Sequence, residues 1–157
     1  ISPSMRSTLF GWVTSAHYEL ILSPATLHLT FSIIDRYCAL EFVDAQELRL
    51  LGAASLMMAA KYEETMTHPV RTYLRVCGMV YQRHELLGME QRVLERLQYR
   101  LTVPTTYTFI AYAIREANGT SAQLKRARRY AEIALRDHAT LAHLPSEIAS
   151  AAVYLTR

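Results

Sequence analysis

Cysteine is scarce in this chain. Cys38 and Cys77 are the only two among 157 residues, too few for a disulfide framework or a zinc ligand set, which points to buried thiols in a reducing compartment. Long hydrophobic runs are missing as well. The longest charge-free apolar stretch, Leu50 to Ala60, is too short to span a bilayer, and no signal pattern precedes it, so neither secretion nor membrane insertion is expected. Catalytic signatures are absent too: His17, His28, His68, His84, His138 and His143 lack a metal-ligand spacing, and no Gly-rich phosphate loop or nucleophile motif occurs. Glu63 and Glu64 are adjacent, so on a helix they diverge by about 100° and cannot form an acid/base pair. No catalytic residue, metal or cofactor is therefore expected. A strong charge imbalance is also lacking. The net charge of +3 does not by itself predict a nucleic-acid partner.

What the sequence does contain is helical patterning. With 51% hydrophobic and 20% charged residues the chain can bury a real core, and its apolar residues recur at helical spacing with no strand-like run, which predicts an all-α protein. Ser4 is the expected N-cap of a first helix reaching about Leu22, with Met5, Leu9, Trp12 and Ala16 on one face and Phe10, Val13, Leu20 and Ile21 on another. Two apolar faces imply a core side and a second contact. Ser23 with Pro24 opens a second helix to about Glu41, and Asp44 caps a third over 45–64. Helices follow over about 70–77 and 83–98, then a linker from Leu101 to Pro104. Thr105 to Asn118, Thr120 or Ser121 to about Thr140, and Pro145 to the end of the sequence are the last three.

The third helix organises the rest. Its residues Leu50, Leu51, Gly52, Ala53, Ala54, Leu56, Met57, Met58, Ala59 and Ala60 leave almost no polar face, and a helix apolar all round is buried all round. Small residues along it allow neighbours to approach closely. The segment Leu51 to Met58 also lines up with Ile148 to Leu155, which reads as a second central helix in a repeated unit, although small-residue helices resemble one another readily.

Against this apolar background, charges stand out at Arg6, Asp35, Lys61 and Glu90. Arg6 and Asp35 lie among Met5, Leu9, Phe31, Ile34 and Cys38, where an ionised group is costly unless paired, so a buried ion pair between the first two helices is expected. Lys61 ends the third helix, where a cation is favourable in any case. Glu90, in the stripe Leu86, Glu90, Val93, Leu97, has the local alternative of pairing with Arg83 or facing solvent.

The segments that carry these charges are Met-Arg-Ser-Thr-Leu-Phe-Gly-Trp (5–12), Ile-Asp-Arg-Tyr (34–37), Leu-Leu-Gly-Ala-Ala (50–54), Ala-Lys-Tyr-Glu-Glu (60–64) and Gly-Met-Glu-Gln (88–91). In this order and at these distances they resemble a cyclin box, most closely that of A/B-type mitotic cyclins. The resemblance implies a five-helix cyclin fold with a buried third helix over 5–101, then about three helices of an incomplete second cyclin fold over 102–157. It implies a non-catalytic subunit, nuclear and cytoplasmic, that binds and allosterically activates a cyclin-dependent protein kinase. Lys61 and Glu90 match the residues with which cyclins hold the backbone of a kinase helix, and Met58, Tyr62, Leu94, Tyr99 and Leu101 match the kinase-facing groove. Arg6 and Asp35 match a structural ion pair. Met5, Leu9, Trp12, Leu48 and Arg49 fall on the patch where some cyclins dock basic-hydrophobic motifs of substrates or inhibitors.

The patch departs from the family pattern at three positions. Thr8, Ser15 and Arg49 replace an aliphatic residue, an acid and Gln, and the loss of the acid beside a new cation disfavours a basic docking peptide. A rival reading begins at Lys125, Arg126, Arg128 and Arg129, because cyclin-like folds also occur in DNA-binding factors resembling general transcription factor B. Its bland alternative is a solvated basic helix face, and no zinc-ribbon cysteines accompany it.

Overall fold

Helices account for all the regular structure. The computed structural model describes residues 1–157 and holds α1 (Pro3–Glu19), α2 (Pro24–Leu40), α3 (Leu48–Glu63), α4 (Val70–Val76), α5 (Arg83–Arg96), α6 (Thr106–Glu116), α7 (Ser121–Arg136) and α8 (Pro145–Tyr154), with a 3-10 turn at His138–Ala142. The all-α expectation holds, and the chain divides into two compact units, Ile1–Thr102 and Val103–Arg157.

At three of the helix ends that differ from the sequence reading, a short polar side chain competes for backbone groups. The N-cap of α1 is Ser2, not Ser4: its hydroxyl accepts from the Met5 amide at 3.2 Å, which leaves Pro3 at the position where a missing N–H costs nothing. Asp44 does accept from a backbone amide, that of Gln46 at 3.3 Å, but it closes a turn, and α3 begins only at Leu48. At the end of α7, Asp137 accepts from the Ala139 amide at 2.9 Å, so the helix stops at Arg136 and a 3-10 turn replaces the expected continuation to Thr140.

In the first unit α3 is the central rod. Every residue from Leu50 to Ala60 is buried, and α1, α2, α4 and α5 all pack against it. Gly52 is what lets α1 close on it. A β-carbon there would lie 2.9 Å from Leu9 Cδ1 and 3.1 Å from Trp12 Cζ3, so any larger residue would push α1 outward. The second unit is smaller. Ile110 and Ile114 of α6, Ala127 and Ala131 of α7, and Ala149 and Ala152 of α8 form its core, with Phe109, Leu124 and Val153 packed against them. Although its sequence lines up with that of α3, α8 buries only Ala149 and Ala152. Ile133, Ile148 and Leu155 line an apolar groove of about 470 Å³ between α7 and α8.

Burial also sets a pH response in the first unit. His28 of α2 is enclosed, and desolvation, helped by the nearby His17, lowers its pKa from 6.5 to about 4. The folded state therefore keeps the neutral imidazole, while the unfolded chain takes up a proton as pH falls below 6.5. The stability contributed is complete above that pH and is lost toward pH 4, with a loss of about 2 kcal/mol by pH 5. Urea unfolding at pH 7.5 and 5.0 is expected to show this loss and His28→Gln to flatten it. An unchanged pH slope in the variant would refute the assignment.

Candidate functional site

Lys61 sits in the last turn of α3 and Glu90 in the middle of α5. Because α5 packs against α3, the two side chains meet: Lys61 Nζ donates to Glu90 Oε1 at 2.6 Å, with side-chain exposures of 46% and 15%. The ammonium is thus half in solvent. It retains N–H groups beyond the one used, and the carboxylate has a second oxygen, so the pair can offer a donor and an acceptor to a third group. Glu90 bonds across to another helix and not to Arg83 on its own.

Two aromatic side chains stand exposed on the same unit. Tyr62 follows Lys61 on α3, is about half exposed, and shares a 2.6 Å hydrogen bond between its hydroxyl and that of Thr102. Tyr99 arrives by a different device. After Arg96 the chain reverses in a Schellman motif in which the Tyr99 amide reaches Leu94 O at 2.8 Å and the Gln98 amide reaches Glu95 O at 3.0 Å. Gln98 and Tyr99 take φ of 54° and 58° with no glycine to relieve the strain. Left-handed residues of this kind cost roughly 1 to 3 kcal/mol each and cluster at functional sites, and here the turn leaves Tyr99 65% exposed. Leu94 and Leu101 are partly buried. Met58 is a correction: it is 2% exposed within the α3 core and does not line an open groove, because its turn of α3 lies wholly under neighbouring helices.

Arg6 and Asp35 face each other between α1 and α2. Arg6 Nε donates to Asp35 Oδ1 at 2.8 Å and its NH2 group to Oδ2 at 2.9 Å, with side-chain exposures of 2% for Arg6 and 20% for Asp35. Glu64 was not foreseen in any such role. From the end of α3 its carboxylate accepts from the Ser23 amide at 2.7 Å and from the Thr26 hydroxyl, so it caps α2 in place of the Ser23 side chain. Burial alone would raise its pKa; the hydrogen bonds from Thr26 and Ser23 outweigh this and lower it. The sequence signal was the empty first turn of α2, where no acidic residue follows Ser23.

The model of the cyclin N-terminal domain matches residues 1–102 and that of the cyclin C-terminal domain residues 104–157. The chain belongs to the cyclin family. Among relatives, it is 38% identical over 154 residues to Cyclin-B1-5 of Oryza sativa subsp. japonica, covering 98% of this chain and 34% of the relative. It is 39% identical over 158 residues to Cyclin-B1-3 of Arabidopsis thaliana, covering 100% and 38%. This cyclin therefore spans about a third of the length of these curated relatives. In fold it is similar to a viral cyclin from herpesvirus saimiri, with a TM-score of 0.90 at 18% identity over 99% of this chain and 70% of that one. It is similar too to a chain of the yeast RNA Pol II CTD kinase CTDK-1 complex, with a TM-score of 0.82 at 15% identity over 98% and 54%.

A second feature of this cyclin lies on α1 and the start of α3. Met5, Leu9, Trp12, Leu48 and Arg49 line one groove of about 320 Å³, together with Ser4, Thr8 and Ala45. Leu9 and Leu48 are buried and form its floor, while Trp12 and Met5 stay partly open. The basic cluster of α7 is less free than its sequence suggested. Arg126 donates to Thr156 O at 3.1 Å, and Arg128 donates to the Tyr107 hydroxyl at 2.8 Å while lying over that ring. No helix is long and apolar enough to cross a membrane.

Proposed function

We propose that this cyclin binds and allosterically activates a cyclin-dependent serine/threonine kinase in mitotic cell-cycle control, acting in the nucleus and cytoplasm, and performs no chemistry itself. The observation that carries this reading is the Lys61 and Glu90 pair on adjoining helices, its lysine about half exposed, in a unit that also exposes the rings of Tyr62 and Tyr99. A backbone carbonyl of a kinase helix takes a free N–H of Lys61, and a backbone amide takes an oxygen of Glu90. The aromatic rings and the partly buried Leu94 and Leu101 supply apolar area around these polar contacts, the composition of an interface centre.

Activation follows from differential affinity. An inactive kinase keeps its regulatory helix turned outward, which separates the catalytic lysine from the helix glutamate. A subunit that holds the inward position more tightly shifts the population toward it and assembles that ion pair. The names of the two plant relatives, both B1-type cyclins, support the mitotic assignment, as does the Lys-Tyr-Glu-Glu segment. Two arginines of the α7 cluster are engaged within the second unit, which favours kinase binding over a DNA-binding role. Phosphorylation of a serine/threonine peptide by a purified cyclin-dependent kinase, measured with and without the full chain, tests the proposal. Stimulation of about tenfold or more is the expected result, and none at saturating chain would end it.

A further inference from the structure

The backbone beyond α5 has little of its own to hold it. Gln98 and Tyr99 lie in the left-handed region at φ of 54° and 58°, and the last backbone hydrogen bond before α6 runs from the Arg100 amide to Leu97 O at 3.1 Å. From Leu101 to Pro104 the backbone makes none. Strained turns persist only where their surroundings over-determine them, and here two side chains from other helices do so. From α2, Arg36 donates its NH2 group to Arg100 O at 2.7 Å, the carbonyl that stands between Tyr99 and Leu101. From the last turn of α3, the Tyr62 hydroxyl meets that of Thr102 at 2.6 Å, across 40 positions of sequence. Leu101 is thus bracketed by one tether on each side.

We infer that Thr102 is a positioning residue for kinase recognition: its hydroxyl, bonded to that of Tyr62, fixes the 99–102 segment against the end of α3 before the kinase arrives. This rests on the kinase-binding reading and adds to it the means by which that surface is kept in order. A segment without backbone hydrogen bonds would otherwise be ordered only on binding, and the lost freedom would subtract from affinity. The same bond acts in both directions. It holds the ring of Tyr62, which is 48% exposed, as well as the residues that precede Thr102. Deleting either hydroxyl therefore releases two kinase-facing stretches together, while Thr102 itself makes no contact with the kinase.

Calorimetric titration of a purified cyclin-dependent kinase into the full chain and its variants tests the role. Thr102→Val keeps the shape of the side chain and removes the hydroxyl; it is expected to weaken binding about threefold to tenfold, the scale of one hydrogen bond. Thr102→Ser keeps the hydroxyl and is expected to bind as the native chain does. Tyr62→Phe is expected to lose as much as Thr102→Val, and the double variant no more than either, because the two hydroxyls act as one bond. Thr102 is exposed, so urea midpoints are expected to stay near the native one. In the free chain, NMR order parameters of amides 99–102 are expected to fall in Thr102→Val and to remain native in Thr102→Ser. Unchanged affinity or order parameters in Thr102→Val, losses that add in the double variant, or an equal loss in Thr102→Ser overturns the positioning role and leaves the kinase reading standing. No binding by the native chain ends the kinase reading itself, and the positioning role with it.

Discussion

Replacing Glu90 by alanine is expected to weaken kinase binding by about 2 to 5 kcal/mol, and Lys61→Ala by a similar amount, the range for truncating one partner of a buried, hydrogen-bonded charged contact. In the isolated chain the same changes should matter little. Lys61 is 46% exposed, so the ion pair is screened by solvent and contributes no more than about 1 kcal/mol to folding. The two measurements therefore separate. A kinase interface would surround the pair with protein and remove that screening, so each residue would be left as an uncompensated charge when the other is deleted. The double variant Lys61→Ala, Glu90→Ala is accordingly expected to lose less than the sum of the single losses. Calorimetric titration of kinase into native chain and the three variants, beside their urea unfolding, reads both effects. Native-like binding by both single variants would place the kinase surface elsewhere.

The same pair marks where sequence reasoning stops. The buried rod was legible because Leu50 to Ala60 contains no charge, and apolar periodicity reports burial directly. That Lys61 and Glu90 meet was not legible from either residue, since a terminal lysine suits the helix dipole and a glutamate on a half-polar helix can face water. The family resemblance put the two residues on adjoining helices, while the bond between them came only with the structure. Met58 shows the limit of that resemblance: on a helix apolar all round, the sequence gives no sign of which residues a neighbouring helix covers. Glu64 shows the opposite case. Its role in capping α2 spans 41 positions to Ser23, and side-chain to backbone bonds at that separation leave no periodic trace. The helix ends at Ser2, Leu48 and Arg136 were blurred by local competition, since Ser4, Asp44 and Asp137 all carry side chains able to accept from nearby amides.

Asp35→Ala is expected to destabilise the fold by about 3 to 5 kcal/mol, the cost of leaving a buried charge without its partner. The carboxylate takes two parallel hydrogen bonds from Arg6 at 2.8 and 2.9 Å, the bidentate form in which Arg and a carboxylate are best matched. Without it, the buried Arg6, whose side chain is 2% exposed and whose guanidinium lies 5.5 Å from the centre of the Phe31 ring, keeps its charge but loses the Asp35 counter-charge. The reverse change should cost less. Asp35 is 20% exposed at its side chain, so when Arg6→Met removes the cation, water can reach part of the carboxylate. A second consequence distinguishes a stranded charge from simple loss of packing. In the double variant Arg6→Met, Asp35→Leu no charge remains to be stranded, and stability is expected to return to near the native value, as it does where buried ion pairs are exchanged for apolar residues. For a chain of this length a loss of 3 to 5 kcal/mol corresponds to a fall in Tm of roughly 10 °C. Urea unfolding of the native chain, Asp35→Ala, Arg6→Met and the double variant tests the whole cycle. A midpoint for Asp35→Ala equal to the native one would show that the pair is not what fastens α1 to α2.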